Sequence, residues 1–438
     1  MSFTSRNCSI GARKNSPCTR KSAFISVIAK ARIIARLEAP KSSEAAEMEF
    51  VGQTADGRSI HYIDKKRYLW LLSLTGGFSP LIAIGLYFVT GHNPLTMLFP
   101  LLYTFVAIPI VDALMGEDHH NPPEEVVRHM AHDNYYRILL YVGIVLLFAS
   151  FFTVAWFLGT YRVPWWAYTV LALGAGLESS GAILLGHELG HKNSRADRIA
   201  AQVANGLVGY GHFCIEHNVG HHVHVATPED CASARMGESI YKFVRREIPG
   251  AFKRGWRHER ERLAKLGRGT FTWHNPILLS WLLTLAIGGA LIAVFGWILL
   301  PFLIIHHVYA WYGLTQANYV EHYGLLRQKM PNGRYEACKP RHSWNTNHIF
   351  SNLLTFHLQR HSDHHANALR PYQTLRDFED LPRLPSGYPG SFALAAFPSR
   401  WFKVMDPKLM RWADGDISKL NVDPDQRDRL YAKFADPH

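Results

Sequence analysis

Six long apolar runs decide what this chain can fold into. Residues 68–90, 95–115, 138–160, 164–186, 277–297 and 298–320 are each close to the ~20 residues that a bilayer-spanning helix needs. The expected fold is therefore an all-α integral membrane protein with six transmembrane helices. Most charges fall at the ends of the runs, but Asp112 and Glu178 lie inside or near an edge, where a carboxylate is costly and usually functional. Tyr68 and Trp70, Trp165 and Trp166, and Trp311 and Tyr312 stand near run ends, as interfacial anchors do.

Lysine and arginine set the expected orientation. Lys65, Lys66 and Arg67 precede the first run, the connection 91–94 has no basic side chain, and 192–268 is rich in both. By the positive-inside rule the termini and long connections are cytoplasmic. The net charge of +12 then reads as this bias and as contact with the anionic lipid bilayer. No nucleic-acid-binding module is present in the sequence, so no nucleic-acid partner is expected.

Nine of the 25 histidines gather in four groups: HELGH (His187, His191), EHNVGHH (His217, His221, His222), NYVEHYG (His322) and QRHSDHH (His361, His364, His365). Helical residues three or four apart share a face, so three of these groups can each aim at least two imidazoles at one point. With six spans, all four lie on the cytoplasmic side. Neutral imidazole is the commonest metal ligand. All-nitrogen ligation leaves iron, zinc or copper open, and nine imidazoles exceed the needs of one ion. HELGH also matches the H-E-x-x-H signature of zinc metalloproteases, which makes an intramembrane zinc protease the rival from another class. Such an enzyme needs three protein ligands and a water, so the surplus favours two metals, with Glu188 supporting an imidazole from behind.

Residues 187–276 read as a mostly helical cytosolic insertion, giving the bundle a histidine-rich cap, and 371–438 read as an extended cytosolic tail packed on that cap. The membrane domain runs over 48–370. Residues 1–47 form a basic, serine-bearing extension expected to be disordered; its composition resembles an organellar transit peptide and also fits an upstream, untranslated stretch before Met48. The five cysteines (Cys8, Cys18, Cys214, Cys231, Cys338) form neither a disulfide framework nor a C-x-x-C knot.

HELGHK (187–192), IEHNVGHHVHVATPED (215–230), SARMGESIYKF (233–243), NYVEHYGLLRQKM (318–330), LQRHSDHHA (358–366) and GEDHHNPPEEVV (116–127) closely resemble the integral-membrane alkane 1-monooxygenases. Fatty-acid desaturases and lipid hydroxylases share the histidine spacing and are the alternative within the same superfamily. Family members start near residue 50 of this numbering, which favours the upstream-extension reading of 1–47. The resemblance implies two non-haem irons bound by His187, His191, His217, His221, His222, His322, His361, His364 and His365, in a multi-pass protein of the bacterial inner membrane. It implies hydroxylation of the terminal methyl of an n-alkane with dioxygen. Glu188, His212, Asp230 and His357 are expected to support the ligands. Thr104, a small residue in the second run, is expected to line the alkane tunnel. The chain has neither a G-x-G-x-x-G after a strand nor paired C-x-x-C motifs, so it needs a separate electron donor, which the family implies is rubredoxin with its reductase.

Overall fold

The computed structural model describes residues 49–434, and the basic extension 1–47 lies outside them. The described chain is mostly helical. It opens on a two-stranded antiparallel hairpin, β1 (Glu49–Gln53) and β2 (Ser59–Ile63). The turn between them contains Asp56-Gly57, with Gly57 at φ 85°, a conformation glycine adopts without steric cost. The hairpin was not expected from the sequence, although an Asp-Gly pair is a strong turn signal.

Among the described residues, four helices are long and apolar enough to cross a membrane: α2 (Pro94–Met115), α3 (Asn134–Thr160), α4 (Trp165–Gly190) and α7 (Pro276–Phe295). The first apolar run is broken into the segment Tyr68–Leu74 and a helix containing α1 (Ser79–Val89), bent by 41°; as a bent span it would raise the number to five. The last run forms α8 (Leu299–His322). Its second half carries Gln316, Asn318, Glu321 and His322, which dilute its apolar character below that of a self-evident span. Further helices that matter below are α5 (Arg195–Leu207), α6 (Ile240–Lys265), α9 (His361–Ala366), α10 (Tyr388–Ala395), α11 (Pro398–Trp412) and α12 (Arg427–Phe434).

Local chemistry sets the ends of these helices. Asp133 caps α3 by accepting from the Tyr135 backbone N–H at 2.8 Å. Asn275 does the same for α7 toward Ile277 at 3.0 Å, ahead of Pro276, a residue suited to the first helical position. α7 ends at Phe295, before Gly296, whose φ is 85°, two residues short of the expected limit. At 27 residues, α3 is roughly 40 Å long. Large aliphatic side chains on the spans, including Ile110, Val145, Leu285 and Val294, point outward and are exposed, as expected of a surface facing lipid.

α8 lies along α4 because small residues let the backbones approach. A Cβ on Gly176 would stand 2.6 Å from the His306 carbonyl oxygen, and one on Gly313 would stand 2.7 Å from Ser180 Cβ; such residues are typical of membrane helix contacts. The tail expected as an extended wrap is helical in part. Trp401, Met405 and Leu409 of α11 share a core with Ile240 and Phe243 of α6, Tyr319 of α8 and Tyr323 just beyond its end. The apolar spacing of these α11 residues is helical, but the prolines around them masked the pattern.

Candidate metal centre

His187 and His191 occupy the last turn and cap of α4, four residues apart. Segment 213–224 brings the next three. It contains a π-helical turn, Glu216–His221, in which residues five apart align, so His217 and His222 converge while His221 turns to the other side. Gly220 in this turn has no room for a side chain: a Cβ there would lie 2.6 Å from Arg254 Nε. α9 contributes His361 and His365 to one side and His364 to the other. His322 is the last residue of α8.

The result is two adjacent groups. His187, His191, His217, His222 and His364 form one; His221, His322, His361 and His365 form the other. All nine expected residues are thus brought together, but sequence neighbours are divided between the groups. Within the first, His222 Nε2 lies 2.9 Å from His217 Nε2 and 3.1 Å from His364 Nε2, which is itself 2.9 Å from His187 Nε2. Within the second, His361 Nε2 lies 3.1 Å from His322 Nε2 and 2.9 Å from His365 Nε2. The rings of His222 and His365 bring the groups within 4.5 Å between centroids.

This packing fits metal ions. Imidazole nitrogens held ~2.0–2.1 Å from a divalent ion stand about 2.9–3.4 Å apart at bond angles of roughly 90–109°. A neutral imidazole has one N–H and one lone pair, so three nitrogens meeting at one point cannot satisfy each other by hydrogen bonding. Nε2 of His191 and Nε2 of His221 are buried without a hydrogen-bond partner among the described residues. Burial, and then the neighbouring imidazoles, hold His217, His361, His364 and His365 well below the usual imidazole range. They are neutral, with lone pairs free for a cation.

His221 differs. Burial pulls its pKa down, but Asp230 overrides this and raises it. Asp230 Oδ2 lies 2.9 Å from His221 Nδ1 and accepts from Ser233 Oγ at 2.7 Å, while Oδ1 accepts from Arg254 Nη2 at 2.7 Å. Arg254 also grips Glu216 through Nε at 2.7 Å. Fixing Nδ1–H in this way turns the Nε2 lone pair toward the second group, as carboxylates behind metal-binding histidines do. Of the four residues expected to support the ligands, Asp230 is the one hydrogen-bonded to a histidine of the two groups.

Three other expected supports do not touch the nine. Glu188 lies 2.6 Å from Lys192 Nζ and accepts from the Tyr372 backbone N–H at 3.3 Å, because one helical position after His187 it points off the metal face. His212 packs at a tilt against Tyr210, with ring centroids 4.2 Å apart, and meets Phe252. His357 packs edge-on against Trp70 at 4.6 Å.

Sequence reasoning missed Glu321. Its Oε2 lies 3.3 Å from His361 Nε2, and its Oε1 accepts from the Tyr388 hydroxyl at 2.5 Å, placing a carboxylate against the group of four. Its only signal was adjacency to His322.

A cavity of about 190 Å³ reaches the same place. Leu147, Leu177 and Leu184 line it together with Thr104, and so do His187, His217, His361 and Glu321. Thr104 Oγ1 donates to Glu178 Oε1 at 3.0 Å, and Ser79 Oγ does so at 2.9 Å. The suspicious carboxylate of α4 is thus held by hydroxyls from two other helices.

Residues 164–391 match the fatty acid desaturase family model. The chain is 50% identical over 374 residues to the alkane 1-monooxygenase of Ectopseudomonas oleovorans, covering 85% of this chain and 93% of that protein. It is 48% identical over 381 residues to alkane 1-monooxygenase 1 of Alcanivorax borkumensis, covering 87% and 94%. With the alkane 1-monooxygenase of Pseudomonas putida it shares 49% identity over 374 residues, 85% of this chain and 92% of that one.

Proposed function

The chain belongs to the alkane 1-monooxygenases, oxidoreductases within the fatty-acid desaturase superfamily, and from that premise we propose that it hydroxylates the terminal methyl of n-alkanes at two non-haem irons. The ligands are the nine histidines: five on one ion and four on the other. The observation that carries this reading is the convergence of nine imidazoles into two adjacent groups at the wall of an apolar cavity. Two irons so held would supply the reduction of dioxygen and the insertion of one oxygen atom into the C–H bond.

The chain's own residues do the rest. An alkane offers no polar handle, so the leucines around the cavity orient it by shape and exclude water from the histidines. Thr104 stands in the tunnel wall. Asp230, anchored by Arg254, fixes the tautomer of His221. Glu321 and the Tyr388 hydroxyl hold a proton between them beside the group of four.

Six spans complete the topology. The bent pair ahead of α2 is the first, and α8 is the last; at 24 residues it is roughly 36 Å long, and its polar half turns inward to the site. The basic residues before the first span and through 192–268 put the termini, the helical cap and the metal centre on the cytoplasmic side of the inner membrane. Electrons come from rubredoxin and its reductase. Purified protein given NADH, dioxygen and octane is expected to turn over only after both are added. Turnover with NADH alone would contradict the external donor.

A further inference from the structure

A second cavity of about 680 Å³ opens beside the ends of two spans, with none of the nine histidines in its lining. Leu279 and Leu283, on the first turns of α7, and Ile199 of α5 form an apolar wall. Leu279 and Ile199 are 44% and 54% exposed, so the wall is open to whatever surrounds the helices. Three arginines stand over it: Arg195 and Arg198 in the first turn of α5, and Arg262 near the end of α6.

The arginines are not equivalent. Arg262 is neutralised by Glu259, which accepts from it at 2.6 and 2.7 Å. Arg198 spends one Nη on the Asn193 carbonyl at 2.7 Å. Arg195 has no hydrogen-bond or ion-pair partner among the described residues. Neither Arg195 nor Arg198 meets a carboxylate among the described residues, and both are exposed. Within the wall, Gln202 Oε1 is buried without a partner among the described residues.

The position adds the decisive constraint. α4 ends at Gly190 and α7 begins at Pro276, and both residues border this cavity. The cavity therefore lies where two spans leave the hydrocarbon. An apolar wall that continues down a span, below two guanidiniums without a counter-ion, is complementary to a molecule with a long acyl chain and an anionic phosphate head. Guanidinium suits phosphate through paired N–H donors, and cations at this depth attract anionic lipid. An alkane would leave the arginines unused.

We infer that this groove holds one anionic phospholipid of the adjoining leaflet, with its acyl chain along Leu279 and Leu283 and its phosphate on Arg195 and Arg198. The inference depends on α4 and α7 being spans and not on the metal reading.

Native mass spectrometry of the full-length protein, titrated with dioleoylphosphatidylglycerol or dioleoylphosphatidylcholine, tests it. The wild type is expected to retain one phosphatidylglycerol in preference to phosphatidylcholine. Arg195→Gln with Arg198→Gln, at exposed positions that leave the fold intact, should weaken retention about 25-fold, at roughly fivefold per arginine near a membrane surface. Leu283→Trp, which keeps every charge, should also weaken it by filling the groove. Equal retention of the two lipids by the wild type would overturn the inference, as would unchanged phosphatidylglycerol retention in the variants. Displacement of the lipid by millimolar inorganic phosphate would show a free-anion site instead and would also overturn it.

Discussion

His322→Ala is expected to lower alkane hydroxylation roughly 100-fold or more and to leave the purified protein with about one iron. Loss of even a supporting residue behind a metal ligand costs 10–100-fold in metal affinity or activity, and His322 belongs to the smaller group, where only His221, His361 and His365 would remain. His191→Ala is expected to abolish turnover as well but to retain more iron, since four imidazoles remain in its group. His61→Ala and His92→Ala should change neither quantity. His61 lies on β2 beside Glu49, and His92 lies in the connection after α1 against Tyr87 and Phe88, both outside the two groups. Iron analysis and hydroxylation assays on the same preparations check this. Full iron occupancy in His322→Ala would remove that residue from the ligand set.

Thr104→Trp is expected to reduce hydroxylation of hexadecane at least tenfold more than that of octane, with iron content unchanged. Thr104 lines the cavity that His187, His217 and His361 also border, so an indole there takes space from the tail of a long alkane and leaves the reacting end its room. The substitution also removes a hydrogen bond to Glu178, which still accepts from Ser79. Thr104→Val separates the two effects: it loses the hydroxyl but keeps the size, and it should leave the hexadecane-to-octane ratio as in the wild type. Equal losses for both alkanes in Thr104→Trp would mean disturbed packing, and the tunnel would then run along another face.

What the sequence discloses follows the reach of its local rules. His187 and His191 were legible as partners because four residues make about one helical turn, and His361 and His365 for the same reason. The pairing of His217 with His222 was not, since a five-residue alignment depends on a π turn, and that turn packs against Arg254 of α6. His322 could be placed only by motif, because no spacing links the end of α8 to α9. Glu178 stood out as a carboxylate in an apolar run, yet its partners Ser79 and Thr104 arrive from other helices. The H-E-x-x-H pattern suggests a role for Glu188 beside the metal, whereas the helix turns it toward Lys192 and the Tyr372 backbone. Length and hydropathy located the apolar helices, but not the bend before α1 or the polar inner face of α8.

Metal content bears most directly on the central claim. Protein purified in detergent without chelator, after growth with iron and zinc both present, should contain close to two irons per chain by elemental analysis. A single zinc per chain, with iron absent, would contradict the di-iron reading and return HELGH to the role of a hydrolytic zinc site.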